Sequence, residues 1–195
     1  MCKKMTDYNE EEQFVIRQVA RSKPNMVYVH ITDAELAQID SFVKQKIAAK
    51  MNEAHHIVDS GEEYKRSFTG MMGELAVSKH LGIDFLDWTV GSSRKYNVAD
   101  LKSVGYNVGI KTVEMGKFPL TVRKPYRPEI MCVKKDDNTI VICGLATANV
   151  IQANLNDRYV KSPNVIKRGE KSAFVGFHEL LKVNSIADLN TYKIR

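Results

Sequence analysis

Two rhythms of apolar residues run through this chain, and they divide it into blocks. Over residues 9–21, Phe14, Val15 and Val19 recur at helical spacing, and the run breaks at Ser22-Lys23-Pro24-Asn25. The next helix opens at Thr32-Asp33-Ala34-Glu35, a capping box in which hydroxyl and carboxylate satisfy free backbone N–H groups. Leu36, Ile39, Val43, Ile47 and Met51 then form one stripe, with Lys44, Lys46 and Lys50 away from it, predicting a helix from 33 to about 56. Residues 57–67 are polar and read as a loop. A third helix is predicted over about 68–81, ended by Gly82 at the position of a left-handed cap.

Beyond Gly82 the rhythm changes. Apolar runs of strand length occur at 97–102, 106–114, 129–134 and 139–144, with a turn signal at Asp136-Asp137-Asn138. Residues 146–153, 178–183 and 185–192 read as short helices. Helices, then strands, then helices is the order of an α/β (α+β) domain whose helices pack against a mixed central sheet. A length of 195 residues suits one domain with a sizeable core.

Composition narrows the class. Hydrophobic residues are 44% and charged residues 27%, a globular balance. No apolar run approaches the ~20 residues of a spanning helix, and the start MCKKMTDYNEEEQ lacks the apolar core of a secretion signal. Three cysteines without a CxxC pair argue against a disulfide framework and for a reducing, cytoplasmic setting; Cys132 and Cys143 read as buried thiols. The adjacent His55-His56 has no partner at zinc-ligand spacing. Net charge is +6 but uneven: residues 1–100 hold 13 Lys/Arg against 15 Asp/Glu, and residues 101–195 hold 16 against 8. The basic second half suggests a polyanionic partner, nucleic acid first.

Three residues stand out chemically. Glu74 shares a helix face with Gly70, Val77 and Leu81, where a carboxylate needs a cation, a hydrogen-bond network or a metal. Its bland reading is a first-turn acid that favours the helix dipole. Gly70 and Gly73 would admit another backbone close by. Lys111 lies mid-strand, on the face of Asn107 and Gly109, with Val108 and Ile110 turned to the core. Asp100, ending an adjacent strand, is its expected ion partner. A salt bridge accounts for that pair but not for Glu74 beside it. Two carboxylates and a lysine at a sheet edge suit metal-dependent phosphodiester hydrolysis, because carboxylates are hard ligands for Mg²⁺ and a lysine can offset charge on the phosphate.

The stretch Gly70-Met71-Met72-Gly73-Glu74-Leu75-Ala76-Val77, then Ala99-Asp100, then Gly109-Ile110-Lys111-Thr112 resembles the motifs of the PD-(D/E)XK nuclease superfamily, especially its phage-type members. Ile130-Met131-Cys132-Val133 and Val141-Ile142-Cys143-Gly144 are similar to that core's outer strands, so the resemblance covers roughly 66–180. It implies a restriction-endonuclease-like αβββαβ core with residues 1–60 as a helical extension. It further implies Glu74, Asp100 and Lys111 as catalytic residues, with Glu74, Asp100 and the Ile110 carbonyl around Mg²⁺ and Mn²⁺ able to substitute. Ala99 replaces the signature proline. Gly109 stands where the triplet's acid belongs; Glu74 could compensate, and Glu114 would do so only if a bulge reversed its face.

The segment 117–127 interleaves basic residues with aromatics and prolines. Lys117, Arg123, Lys124 and Arg127 are candidates for phosphate contacts and Tyr126 for base stacking. Arg94-Lys95 and the stretch 164–171 are weaker basic candidates. The expectation is therefore a Mg²⁺-dependent deoxyribonuclease of endonuclease type, with RNA open as a substrate and a homodimer compatible with cutting two strands. The alternative is a catalytically inactive protein on the same fold that binds nucleic acid or a partner, and Gly109 favours it.

Overall fold

A computed structural model describes residues 5–21, 25–50, 60–90, 98–117, 120–122, 127–157, 160, 163–167, 169 and 171–192. Helix α1 (Glu10–Arg21) starts at Asn9, whose side chain accepts from the Glu12 N–H while its own N–H donates to the Glu12 carboxylate. Helix α2 (Asp33–Lys50) carries the predicted capping box: the Thr32 N–H donates to Glu35 Oε2 at 2.7 Å and the Glu35 N–H to Thr32 Oγ1 at 3.3 Å. Its stripe faces inward, with Ile39 and Val43 fully buried. Met51 and His55-His56 lie outside the described residues.

Helix α3 (Ser60–Leu81) corrects one expectation, because most of the polar stretch 57–67 is its first two turns rather than a loop. Charged side chains make good outer helix positions, and Tyr64 ties that part down. Its hydroxyl donates to Asp40 of α2 at 2.5 Å, and its ring stacks on Phe68 with centroids 5.7 Å apart. The helix ends as predicted, with Gly82 at φ 64°.

The central sheet has four strands: β1 (Val27–His30), β2 (Gly109–Glu114), β4 (Glu129–Lys134) and β5 (Thr139–Ala146), in the order β1-β5-β4-β2. Strands β1 and β4 run antiparallel to β5, and β2 runs parallel to β4 as a sheet edge. A smaller sheet, β3-β7-β6, joins β3 (Leu120–Val122), β6 (Leu155–Asn156) and β7 (Ser172–Phe174). Short helices α4 (Ala148–Ala153), α5 (Pro163–Lys167) and α6 (Ile186–Thr191) complete the chain.

The pleat sorts the central sheet into two cores. On one face Ile110, Ile130, Cys132, Ile140 and Ile142 pack with Ile39 and Val43 of α2 and Met72 and Ala76 of α3. On the other, Met131, Val133, Val141 and Cys143 pack with Val15 and Val19 of α1, Ile151 of α4 and Ala173 of β7. Within α1, Phe14 is 49% exposed, so it is not one of the inward positions. A bulge opposite Met131/Cys132 makes Cys143 the extra residue and reverses the parity of β5, returning Leu145 to the α3 face. Helices thus flank a mixed sheet, as expected of this fold class, and among the described residues no helix is long and apolar enough to cross a membrane.

Three expectations change. The N-terminal extension is not wholly helical, since β1 pairs onto β5 as the far edge of the sheet. Residues 98–101 form a turn, not part of a strand, and run into a 3₁₀ turn at Lys102–Val104. The chain doubles back there: Gly105 adopts φ 92°, the Leu101 N–H bonds to the Val108 carbonyl, and the Tyr106 N–H bonds to the Leu101 carbonyl. Residues 178–183 are likewise not a helix; after a 3₁₀ turn at Phe177–Glu179, Leu181 bridges Leu145. Gly144, at φ 134°, permits that approach, because a Cβ there would lie 2.6 Å from the Leu181 carbonyl oxygen.

Candidate active site

The site is built around the first residues of β2. Gly109 donates its N–H to the Pro128 carbonyl at 3.0 Å, extending the parallel ladder toward β4. Successive residues of a strand turn their backbone groups to opposite sides, so those of Ile110 face the open edge. The Asp100 carboxylate occupies that edge: its Oδ2 accepts the Ile110 N–H at 2.6 Å. Asp100 therefore reaches β2 from a turn rather than from the end of an adjacent strand. The Ile110 carbonyl opens to the same edge.

Glu74 approaches from α3. The helix lies close to β2 because Gly73 has no side chain; a Cβ there would fall on the Thr112 hydroxyl and lie 2.9 Å from Thr112 Cβ. Glu74 keeps some surface over its whole length, but its carboxyl is enclosed, and its pKa is pushed up to about 8. Burial is the main cause and the Asp100 charge the second, with Lys46 of α2 opposing. Asp100 is also raised, by burial first; the Ile110 N–H, Arg127 and Lys46 hold it down. These two acids share one field, so ionising either disfavours the other.

Glu129 was not among the sequence-predicted residues. It begins β4 as the register partner of Gly109, and strand parity puts it on the same sheet face as Lys111. Its Oε2 is buried and has no hydrogen-bond partner. Burial raises its pKa and the Asp100 charge adds to the rise, while Lys111 and then Arg127 oppose it. Lys111 thus acts on Glu129, and Asp100 is held instead by a backbone N–H, which corrects the expected Asp100–Lys111 pair. Only the parallel pairing of β2 with β4 brings Glu129 to Gly109. Its one local signal is an acid opening an otherwise apolar strand.

Arg127 moves from a binding-loop candidate into this centre. Its guanidinium lies against Gly109 so closely that a Cβ on that glycine would be 2.9 Å from Nε. Lys117 is exposed in the turn beyond the other end of β2, away from the cluster. Arg123, Lys124 and Tyr126 lie outside the described residues, as do Arg94 and Lys95. Glu114 lies at the opposite end of β2 and accepts the Thr69 hydroxyl at 2.8 Å, so it does not compensate for Gly109. Cys132 and Cys143 are buried thiols as expected; burial raises both pKa values, that of Cys143 to about 12. Neither has the character of a reactive thiolate.

The chemistry of the donor set suits a hard divalent cation: carboxylates that repel one another, one of them with a buried oxygen lacking any partner. As placed, no three His, Cys, Asp or Glu side chains among the described residues are drawn together closely enough to hold an ion. Three cations, Lys46, Lys111 and Arg127, act on the three acids, so much of the local charge is balanced within the protein. Compared with family models, curated proteins and solved structures, the chain finds no match, and a functional reading rests on this cluster alone.

Proposed function

We propose that the protein is a metal-dependent nuclease acting on DNA, built on a restriction-endonuclease-like core. The observation that carries the reading is the Asp100 carboxylate, fixed on the open edge of β2 by the Ile110 N–H and repelled by the buried Glu74. Glu74, Asp100 and the Ile110 carbonyl would hold Mg²⁺, with Mn²⁺ as substitute. When bound, the ion lowers the pKa of the attacking water and offsets charge on the scissile phosphate.

The protein's own groups divide the remaining work. Lys111 supplies a positive charge from the strand next to the acids and stabilises the extra charge that builds on phosphorus as water adds. Arg127, guanidinium against Gly109, is suited to gripping the phosphate in two places. Water oxygen bonds to phosphorus, the bond to one sugar oxygen breaks, and that oxygen takes a proton. Lys117, Arg123, Lys124 and Tyr126 would extend the grip along the strand. DNA is the first substrate to test, and RNA follows it.

A second reading has its own support. The near balance of acids and cations, without a closed ligand set, suits a protein that binds nucleic acid or a partner and leaves it intact. Cleavage of plasmid and single-stranded DNA with Mg²⁺ or Mn²⁺ separates the two. Metal-dependent cleavage lost in Lys111→Ala and Asp100→Ala is the expected result. Wild-type protein that shifts DNA in a gel but cuts nothing with either metal sinks the nuclease and leaves the binder.

A further inference from the structure

Lys111 serves one side of the sheet. The residues that flank it along β2 turn toward the helices: Ile110 packs into the core shared with α2 and α3, and Thr112 lies against Gly73 of α3. The pleat therefore sends Lys111 to the opposite face, where Val113 packs with the core under α1 and where the Lys111 charge acts on Glu129. Glu74 comes from α3, and Asp100 sits on the strand edge between the two faces. A phosphate resting over that edge meets Lys111 and Arg127 from one side. On the other it meets Glu74, which repels it unless a cation stands there too. Lys46 of α2 is built into that side. It is half-buried, whereas Lys44 two residues earlier is exposed and paired with Asp40 at 2.7 Å. The ammonium of Lys46 lies 5.9 Å from the ring centroid of Phe42, one turn back and buried in the core. Trp88 meets that ring edge-on, with centroids 5.4 Å apart.

We propose that Lys46 is a second lysine of the active centre, contacting the scissile phosphate from the α2 side of the β2 edge while Lys111 and Arg127 act from the other. The inference rests on the nuclease reading and deepens it, because it brings the N-terminal extension into the site. The aromatic ring holds the lysine stem along the helix rather than out in water, so the charge is placed before substrate arrives. That charge acts on Glu74 and Asp100 alike, as expected of a cation set between α2, α3 and the strand edge. Spacing along the chain groups Lys46 with Lys44, away from the apolar stripe. The Phe42 ring separates the two, and only the packing of α2 beside α3 gives Lys46 a functional neighbour.

The test compares Lys46→Met, which keeps the stem and removes the charge, with Lys46→Arg and Lys44→Met in the intact chain. Affinity for a DNA duplex is first measured in chelator over a range of salt. One lost phosphate contact lowers the slope of log affinity against log salt by about 0.9. Lys46→Met should show that fall, Lys46→Arg should restore the slope, and Lys44→Met should keep the wild-type value. With Mg²⁺ and saturating DNA, Lys46→Met should cut at least about tenfold more slowly, and Lys46→Arg should recover most of the loss. Lys46→Met should melt within about 4 °C of wild type, since a half-exposed cation–ring contact contributes little to folding. If Lys46→Met does not fold, Lys46→Gln replaces it. Wild-type slope and cleavage in the Lys46 variant, with Asp100→Ala inert, overturn the assignment and leave the nuclease standing. Slower cleavage with an unchanged slope overturns the phosphate contact. Wild-type protein that cuts nothing with Mg²⁺ or Mn²⁺ overturns both.

Discussion

The two ends of β2 treat a half-buried acid in different ways. At its C-terminal end Glu114 turns toward α3 and accepts the Thr69 hydroxyl at 2.8 Å, while Gly73 lets the helix settle against Thr112. The Thr112 hydroxyl is left without a partner there, but it is neutral. At the N-terminal end Glu74 and Glu129 each feel the charge of Asp100 from a different side, and an oxygen of Glu129 has no partner. The first end is an ordinary helix–strand junction whose polar groups serve packing. The second keeps repulsion that a purely structural junction would have removed, which is why the functional reading is placed there.

That contrast is sharpest in activity. Lys111→Ala should reduce metal-dependent cleavage at least about a hundredfold, the usual scale for removing one preorganised charge from a transition state. DNA affinity in a gel shift without metal should change only severalfold. Thr69→Val, at the other end of the same strand, should leave cleavage within a factor of two. Equal losses in both variants would mean that the two ends do not differ in role.

In stability the contrast reverses. Gly73→Ala should destabilise by about 1–3 kcal/mol, because the added methyl overlaps the Thr112 side chain near its root, where little can give. Gly70→Ala, one turn earlier on α3, meets nothing within 4 Å and should be neutral or stabilise by about 0.5–1 kcal/mol. Urea unfolding of both variants decides it. Similar midpoints would show that α3 is not pressed against β2 at Gly73.

Much of this is legible in the amino-acid sequence, though not all of it. The stripe of α2 and its Thr32–Glu35 box, the end of α3 at Gly82, and the apolar runs of β4 and β5 are local signals, and each appears where it was expected. Glu74 and Asp100 do approach each other beside the start of β2, whereas Lys111 of that strand acts on Glu129 instead. Long-range pairing hid the rest. Four residues of β1 carry no usable period and are held by β5. The 98–101 turn reads as a strand because Val98, Ala99 and Leu101 are apolar, although Val98 is 54% exposed in the fold. Glu129 is adjacent to Gly109 only through a parallel register that no local pattern encodes.

Metal-free protein offers a direct measure of the acid-rich end. Glu74 ordinarily titrates near 4.5, and in the folded chain burial and then the Asp100 charge raise it to about 8. Between those values the folded state holds a proton that the unfolded chain has released. The contribution is therefore fully present below about pH 4.5 and is lost as pH rises through about 8. In chelator the slope should reach about 1.4 kcal/mol per pH unit, and Glu74→Gln should flatten it. Saturating Mn²⁺ should restore stability at pH 8. A wild-type profile that rises with pH over this window would place the Glu74 carboxyl in solvent, not in the cluster.

The smallest effect tests the close contact of the Arg127 guanidinium with Gly109. Gly109→Ala alone should cost stability and weaken DNA binding, because its Cβ and the guanidinium compete for one volume at 2.9 Å. The guanidinium is the far end of a flexible side chain and can swing aside, so the cost should be modest, about 1 kcal/mol. In an Arg127→Ala background the same methyl meets no guanidinium, and Gly109→Ala should become neutral. A double-mutant cycle on urea unfolding should therefore return a coupling of roughly 0.5–1.5 kcal/mol, within the range found for residues in contact. Additive effects would mean that Arg127 does not lie across the glycine. Position 109 would then need another reason to lack a side chain.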